Sequence, residues 1–451
     1  MLNFRENLSK HLALPLQDLL RGTNIRGEYA ELLDTDKLTI AELEKIQIIK
    51  LKRLVHYSYE NIPYYRDIFR SVNLHPSEIN SLSDLSKVPI TDKEMARQAG
   101  ESLYISSSAK KNIKYGKTGG TTGIPLFYKK DAKTRSVGWG VYFRWLDSIG
   151  VKSYSSKVSL WGAPTVLDTT FTKSLFEKTK NWINNTIVIN SFNINSKTLP
   201  NIVRIIEEKN PEIIHGYLSA ILQLAYFMDV NSIKTINPKV ILPTTETLLP
   251  PYRTFLEKIF DCEVFDQYGC GECGSIAFEC DAHSGLHVAM EHCIMEIVDK
   301  DSKGRGDVVV TDLDNMAMPF IRYRNGDQAE FASTKCSCGR NSPLVKNVLG
   351  RNTDTIILND GSKVHGVFFT DIMGEFNFVE NKEIRRFQVY QRVPGSIDFK
   401  IEGNYLNPKN EDLLFKALRS YFDKVTITYH NYLNEDLNGK FRYVVSEVDI
   451  D

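Results

Sequence analysis

The sequence predicts a large N-terminal α/β domain, its β-sheets flanked by helices, followed by a smaller mobile α+β domain. Three observations carry this expectation. Between about residues 156 and 313, short β-rich runs alternate with helix-like stretches. Over the first hundred residues the apolar side chains recur instead at helical spacing. Near Arg351 the pattern changes again, to strand pairs with a single helix.

From Tyr29 to about Arg70 the apolar repeat includes Leu43, Ile46, Ile49, Leu51 and Leu54, so helices are expected, with a turn at Asn61-Ile62-Pro63. This region reads as scaffold. The strand candidates that follow are KVSLWGA (157–163), NTIVINSF (185–192), PEIIHGY (211–217), PKVILPTTE (238–246), CEVFDQYG (262–269) and GDVVVTDL (306–313). LPNIVRIIEE (199–208) and LSAILQLAYFMD (218–229) are the helical stretches between them. Such alternation implies a sheet covered by helices. Beyond the change of pattern, DTIILNDGSKVHG (354–366) reads as a hairpin and EIRRFQVYQ (383–391) and SIDFKIEGNY (396–405) as strands. A helix over about 410–421 and the strand KVTITYH (424–430) complete the unit. The expected domains are therefore 1–350, with 1–100 largely helical, and 351–451.

The chain has 451 residues, 56 Lys and Arg balanced by 56 Asp and Glu, and 42% hydrophobic residues. That length leaves room for roughly two to four folding units. A formal net charge of zero argues against a general electrostatic grip on nucleic acid or an anionic membrane. Any polyanion must be held by a local site. The N-terminal segment interrupts its apolar residues with charges, and no stretch offers about 20 consecutive apolar residues. No secretory signal and no membrane span are expected, and the cytoplasm is the expected compartment.

The strongest local motif is Tyr115-Gly116-Lys117-Thr118-Gly119-Gly120-Thr121-Thr122-Gly123-Ile124-Pro125. Its glycines let backbone N–H groups converge on an anion, the threonines add hydroxyls, and Lys117 adds charge. The loop is suited to phosphate, although it lacks the Walker A spacing. A tight surface turn is the plain alternative. In Asp266-Gln267-Tyr268-Gly269-Cys270-Gly271-Glu272-Cys273-Gly274, three glycines match the dinucleotide fingerprint GxGxxG. The residues that follow are strand-like, where the fingerprint needs a helix. A tyrosine face for a nucleobase and a Mg²⁺ carboxylate at Glu272 fit this turn better. The third motif is PFIRYRNGD (319–327), followed by GRNTD (350–354). Here Asp327 can accept hydrogen bonds from vicinal ribose hydroxyls, and Arg351 can bind the same sugar or a phosphate; structural ion pairs are the alternative.

Taken in order, YGKTGGTTGIP, Thr244-Thr245-Glu246-Thr247, DQYGCGE, the 306–327 segment, CSCGR (336–340), GRNTD and NGKFR (438–442) resemble the successive core motifs of adenylate-forming enzymes. The resemblance is to the phenylacetate-CoA ligase branch and its relatives in capsular-polysaccharide gene clusters. It covers nearly the whole chain, since HYSYENIPYYRDIF (56–69) and LSDLSKVPITDKEMAR (82–97) are similar to that branch's N-terminal region.

The resemblance implies an AMP-forming ligase. A carboxylate attacks the α-phosphate of ATP, giving an acyl-adenylate and pyrophosphate; a nucleophile, commonly the thiol of coenzyme A, then takes the acyl group and releases AMP. It assigns ATP and acyl binding to residues 101–350. Lys117, Thr118, Thr121 and Thr122, with Gly119, Gly120 and Gly123, would hold phosphates, and Glu272 would bind Mg²⁺. Tyr268 and Gly269 would lie near adenine, Glu246 would contribute to the same nucleotide site, and Asp327 with Arg351 would hold the ribose. Lys440 would place its ammonium between carboxylate and α-phosphate, and Asp354 would be the hinge of the C-terminal domain. The expected partner is a small carboxylic acid, aryl or sugar-linked, with Trp139, Tyr142, Trp145, Trp161, His215 and Tyr217 as aromatic candidates for its pocket; core packing is the alternative for the first three. Two other readings stay open: an amide-forming ligase of envelope polysaccharide or secondary metabolism, and a catalytically silent nucleotide-binding homologue.

The seven cysteines cluster between 262 and 338. Cys280, His287, Cys336 and Cys338 form C-x6-H followed by C-x-C, a ligand set suited to structural Zn²⁺. Cys270 and Cys273 are a closer pair but flank Glu272, and His283 or His292 could replace His287. Reduced core thiols are the remaining alternative.

Overall fold

The computed structural model describes residues 4–105, 112–118, 126–161, 181–182, 184–195, 197–351, 355–361, 363–365, 369, 372, 384–433 and 441–448. By contacts it divides into two compact units. The first takes in Met1–Ser155, Ile183–Asn185 and Phe265–Val348; the second takes in Ser156–Trp182, Thr186–Val264 and Leu349–Asp451.

In the first unit the expected N-terminal helices form. Helix Ile40–Asn61 starts at a capping box in which Thr39 and Glu42 satisfy each other's backbone N–H groups. It stops at Ile62, whose extended backbone precedes Pro63, the first residue of helix Pro63–Ser71. Leu43, Leu51, Leu54, Tyr65 and Phe69 bury one face of this helix pair in a core shared with Ile276, Val288, Val308 and Val310.

That core lies against a mostly antiparallel sheet, ordered Cys293–Val298, Arg305–Asp312, Tyr323–Phe331, Leu344–Arg351, Leu286–Val288, Gly274–Glu279 and Gln267–Cys270, with Thr91–Asp92 added parallel to Tyr323–Phe331. This corrects the expectation of helix-alternating strands as far as residue 313. After Val264 the connections between strands are too short to hold crossover helices, and short links join antiparallel neighbours. The run at 262–269 is likewise two strands, Glu263–Val264 in the second unit and Gln267–Cys270 in the first.

The second unit has the expected α/β alternation. One of its sheets has five strands, all parallel, in the order Thr186–Ile189, Lys157–Leu160, Ile213–Tyr217, Val240–Thr244, Glu263–Val264. Val158, Leu160, Ile214 and Ile241 pack against Ile202, Ile206, Leu222 and Leu256 of helices Leu199–Lys209, Leu218–Val230 and Pro250–Phe260. The C-terminal residues form hairpin Thr355–Ile357 with Lys363–His365, and a four-stranded sheet ordered Lys424–His430, Ser396–Gly403, Ile384–Val393, Val444–Ser446. The helix expected over 410–421 spans Pro408–Arg419, because Asn407 caps it by accepting from the Asn410 N–H at 2.9 Å. Its Leu414 and Leu418 join Phe387, Phe399 and Phe422 in the core.

Candidate active site

The hairpin Gln267–Cys270/Gly274–Glu279 raises Glu272 on a three-residue loop. Its glycines serve this turn. Gly274 sits at φ +82°, the left-handed residue that ends such a loop, and a Cβ on Gly269 would lie 2.4 Å from the Gly274 carbonyl oxygen. No helix follows, so the dinucleotide fingerprint is excluded here.

Strand Tyr323–Phe331 supplies this hairpin's polar partners. The buried Tyr323 hydroxyl donates to Glu272 Oε1 at 2.8 Å, and no other hydrogen bond of Glu272 is found among the described residues. Tyr268 Oη donates to Asp327 Oδ2 at 2.8 Å and accepts from Asn325 Nδ2 at 2.7 Å. Asn325 Oδ1 in turn accepts from the Asp327 N–H at 3.0 Å. Burial, then the Asp327 charge, holds the Tyr268 phenol well above its usual range, so it remains a neutral donor. Tyr268, Asp327 and Asn325 thus form one hydrogen-bonded group beside the Glu272 loop.

Lys117 ends strand Lys114–Lys117, opposite Phe127, and is exposed. Next to it the Thr118 N–H donates to the Leu126 carbonyl at 2.9 Å, and Thr118 Oγ1 accepts from the Leu126 N–H at 3.0 Å. These two bonds close the mouth of the Gly/Thr loop. Tyr128, on the opposing strand, has its phenol pushed up to about 12 by burial, then by the nearby Glu272 and Cys270 charges.

Glu246 belongs to the second unit. Its carboxylate accepts from the Ser219 N–H at 3.0 Å and from Ser219 Oγ at 2.8 Å, at the N-terminus of helix Leu218–Val230, where a carboxylate is favoured. Thr245, just before it, holds φ +72° and a buried Oγ1 with no hydrogen-bond partner among the described residues. This strained turn follows the carboxyl end of a parallel strand, where α/β sheets bind ligands. Trp161, just after strand Lys157–Leu160, stacks on His215 at 5.7 Å and meets Tyr217 at 4.9 Å, both on the adjoining strand Ile213–Tyr217. Burial, then the Lys157 charge, brings the His215 imidazole down to about 3.

The cysteine set also assembles. Cys280 Sγ lies 3.5 Å from Cys336 Sγ, Cys338 Sγ lies 3.3 Å from His287 Nε2, and all four ligand atoms fall within 4.8 Å of one another. These spacings suit a tetrahedral ion with Zn–S of about 2.3 Å. His287 Nδ1 meets Ser342 Oγ at 3.3 Å, an outer partner of the kind that orients a metal-binding imidazole. Burial, then Arg340, lowers the His287 pKa and favours the neutral ring that a metal requires.

Comparison with known proteins fits this arrangement. No protein-family model matches the chain. It is 23% identical over 416 residues to Protein CapK of Staphylococcus aureus, covering 90% of each chain. It is 25% identical over 335 residues to the phenylacetate-coenzyme A ligase of Aromatoleum evansii, and 24% over 337 residues to that of Thermus thermophilus, covering 72% of this chain and 73% and 74% of theirs. A 2-hydroxyisobutyryl-CoA ligase in the postadenylation state, in complex with R3-HIB-AMP, superposes over 92% of this chain and 91% of its own with a TM-score of 0.74 at 16% identity. The chain has the adenylate-forming ligase fold. The anthranilate CoA ligase AuaEII is a more distant neighbour, with a TM-score of 0.53 over 75% of this chain and 67% of its own at 10% identity.

Within this adenylate-forming fold the first unit brings together Tyr268, Gly269, Glu272 and Asp327, and separately the cysteine cluster. Arg351 closes strand Leu344–Arg351. Gly119, Gly120, Thr121, Thr122, Gly123, Asp354 and Lys440 lie outside the described residues. The alternative zinc ligands go elsewhere. His283 Nδ1 lies 3.3 Å from Glu279, His292 pairs with Asp314, and the Cys273 N–H points at Cys270 Sγ across the Glu272 loop. Trp139, Tyr142 and Trp145 form an aromatic run in the first unit; Trp145 packs on Phe278 at 4.8 Å and donates to the Glu279 carbonyl. Sequence reasoning missed Tyr323 and Asn325 as partners of the hairpin. Tyr323, Asn325 and Asp327 recur at every second residue of one strand, and that was the available signal.

Proposed function

We propose that this chain is an ATP-dependent ligase that joins a carboxylic acid to AMP and then passes the acyl group to coenzyme A. The observation that carries the reading is the Tyr268–Asn325–Asp327 group standing beside Glu272. In the first step a carboxylate oxygen bonds to the α-phosphorus and pyrophosphate leaves. In the second the coenzyme A sulfur bonds to the acyl carbon, its proton goes to solvent, and AMP leaves.

The roles follow from the chemistry of each group. Asp327, fixed by Tyr268 and Asn325, holds ribose hydroxyls, with Arg351 near the same sugar. Lys117 and Thr118, with Gly119, Gly120, Thr121, Thr122 and Gly123, hold phosphate oxygens, and Gly269 lets the chain approach adenine. Glu246 is assigned to nucleotide binding. A divalent magnesium ion neutralises phosphate charge when bound, and Glu272 suits it: one carboxylate oxygen is anchored by Tyr323, leaving the other for a hard cation. Lys440 stabilises charge at the α-phosphate, and Asp354 is the hinge for the C-terminal domain. Cys280, His287, Cys336 and Cys338 hold a structural zinc ion that ties strand ends together and takes no part in the chemistry.

The test is pyrophosphate release with a panel of aryl, arylacetic and sugar-linked carboxylic acids, with and without coenzyme A. Carboxylate-dependent release, with AMP formed when coenzyme A is added, supports the proposal; a chain that releases none with any acid is the silent homologue. An amine acceptor is the second reading, left open by the resemblance to relatives in capsular-polysaccharide gene clusters. AMP formed only with an amine would select it. Lys440→Ala should lower pyrophosphate release by on the order of 10²–10³ with an unchanged melting temperature.

A further inference from the structure

Beneath the Glu272 loop lies a buried charge relay to which the reaction assigns no part. His292, 1% exposed, points Nε2 at the Cys273 carbonyl at 3.1 Å and Nδ1 at Asp314 Oδ2 at 3.0 Å. Asp314, fully buried, takes a second contact from Lys50 Nζ at 2.9 Å, and Lys50 also donates to the Glu291 carbonyl at 2.6 Å. Asp312 lies close by and accepts from Thr134 Oγ1 at 3.2 Å and from the Asp314 N–H at 3.0 Å.

The geometry sets the protonation of the ring. A backbone carbonyl can only accept, and so can a carboxylate, so both ring nitrogens of His292 donate. Burial disfavours that charged form, but Asp312 and Asp314 outweigh it and raise the His292 pKa. Cys273 is the residue after Glu272, and Gly274, next again, is the left-handed end of the loop. A Cβ on Gly274 would stand 3.5 Å from His292 Nε2, in contact with the ring. Glu272 is therefore fixed from two directions. Tyr323 holds its carboxylate, and His292 holds the backbone one residue on.

We propose that His292, locked by Asp314 and Lys50, is a positioning residue: by donating to the Cys273 carbonyl it sets where Glu272 presents its carboxylate to a nucleotide-bound divalent cation. The inference rests on the reading of Glu272 as the cation's ligand. An outer partner of this kind is typically worth about 10–100-fold in metal affinity.

The two ring nitrogens can be tested separately. In His292→Gln the side-chain amide reaches the Nε2 position and keeps the bond to Cys273; in His292→Asn it reaches the Nδ1 position and keeps only the bond to Asp314. Binding of Mn²⁺ with ATP, read by electron paramagnetic resonance on the full chain, should weaken about 10–100-fold in the Asn variant and about threefold or less in the Gln variant. The Mg²⁺ concentration for half-maximal pyrophosphate release should move in parallel. A purely structural histidine would give two variants alike in cation binding, and that outcome overturns the proposal.

If the Asn variant does not fold, Lys50→Gln loosens Asp314 from the far end of the relay. A rise of about threefold or more in the Mn²⁺ dissociation constant is then expected, and no rise overturns the proposal. Wild-type protein that binds Mn²⁺ with ATP but activates no acid defeats the reaction and leaves the positioning role to be judged on binding alone. Wild-type protein that binds no Mn²⁺ with ATP overturns the positioning role itself.

Discussion

At the scale of single residues, the Tyr268 hydroxyl has two partners in the site, Asp327 and Asn325. Tyr268→Phe removes both bonds and keeps the ring. A hydrogen bond to a charged group contributes about 1.5–3 kcal/mol, so the melting temperature should fall by several degrees, and KM for ATP should rise by about tenfold or more as Asp327 loses its fixed position. Steady-state kinetics at varied ATP check this, and an unchanged KM contradicts the role given to Asp327. The tyrosine and the aspartate were legible in the sequence because each stands beside a glycine turn. Their bond was not, since 59 residues separate them and their strands are not neighbours in the sheet. Gly216 shows the reverse case, a residue with no sequence signal and a strict requirement. A Cβ there would stand 2.2 Å from the Leu160 carbonyl oxygen, inside the pairing of two central parallel strands. Backbone cannot yield without breaking the ladder, so Gly216→Ala should cost about 2–4 kcal/mol, read as a lowered urea midpoint.

At the scale of elements, the strand runs of the second unit could be read directly because parallel strands are buried on both faces and carry continuous apolar sequence. The antiparallel strands after Val264 are joined by shorter links, and their pairing depends on link length more than on composition. The cysteine cluster belongs to this antiparallel region. Cys280 and His287 flank the link between strands Gly274–Glu279 and Leu286–Val288, while Cys336 and Cys338 lie on the link that leads into Leu344–Arg351. Sequence spacing was enough to group Cys280, Cys336 and Cys338, but it could not choose among His283, His287 and His292; the fold brings His287 to the three thiols. An ion held by this cluster would join the two links where strand pairing alone is short, two residue pairs between Leu286–Val288 and Leu344–Arg351 among the described residues. Purified protein should therefore contain about one zinc per chain, and Cys336→Ser should release it and lower stability by several kcal/mol. Metal analysis beside a thermal melt decides the point: a chain that folds with full stability and no zinc rules the site out.

At the scale of the whole molecule, stability should respond to two separate levers, one in each unit. Metal would act on the first, which contains Cys280, His287, Cys336 and Cys338. Acid acts on the second through His215, whose folded-state pKa of about 3 lies below its ordinary 6.5. Between those values the unfolded chain binds a proton that the folded unit does not. Stability from this group is therefore complete above pH 6.5 and falls as pH drops toward 3, by up to about 1.4 kcal/mol per pH unit. Each unit holds two of the four tryptophans, so the levers can be read apart: Trp145 packs on Phe278 in the first unit, and Trp161 stacks on His215 in the second. At pH 8 His215 is neutral in both states, and a chelator should lower the Trp145 transition by about 5–10 °C while moving the Trp161 transition by less than about 2 °C. Between pH 7 and 5 without chelator, the Trp161 transition should fall, and His215→Phe, which removes the ionisation and keeps a ring against Trp161, should flatten that slope. Acid also protonates thiolates and loosens zinc, so the variant separates the His215 contribution from metal loss. Single-tryptophan chains give both readings, and equal shifts of the two reporters on chelation would show that the units unfold as one.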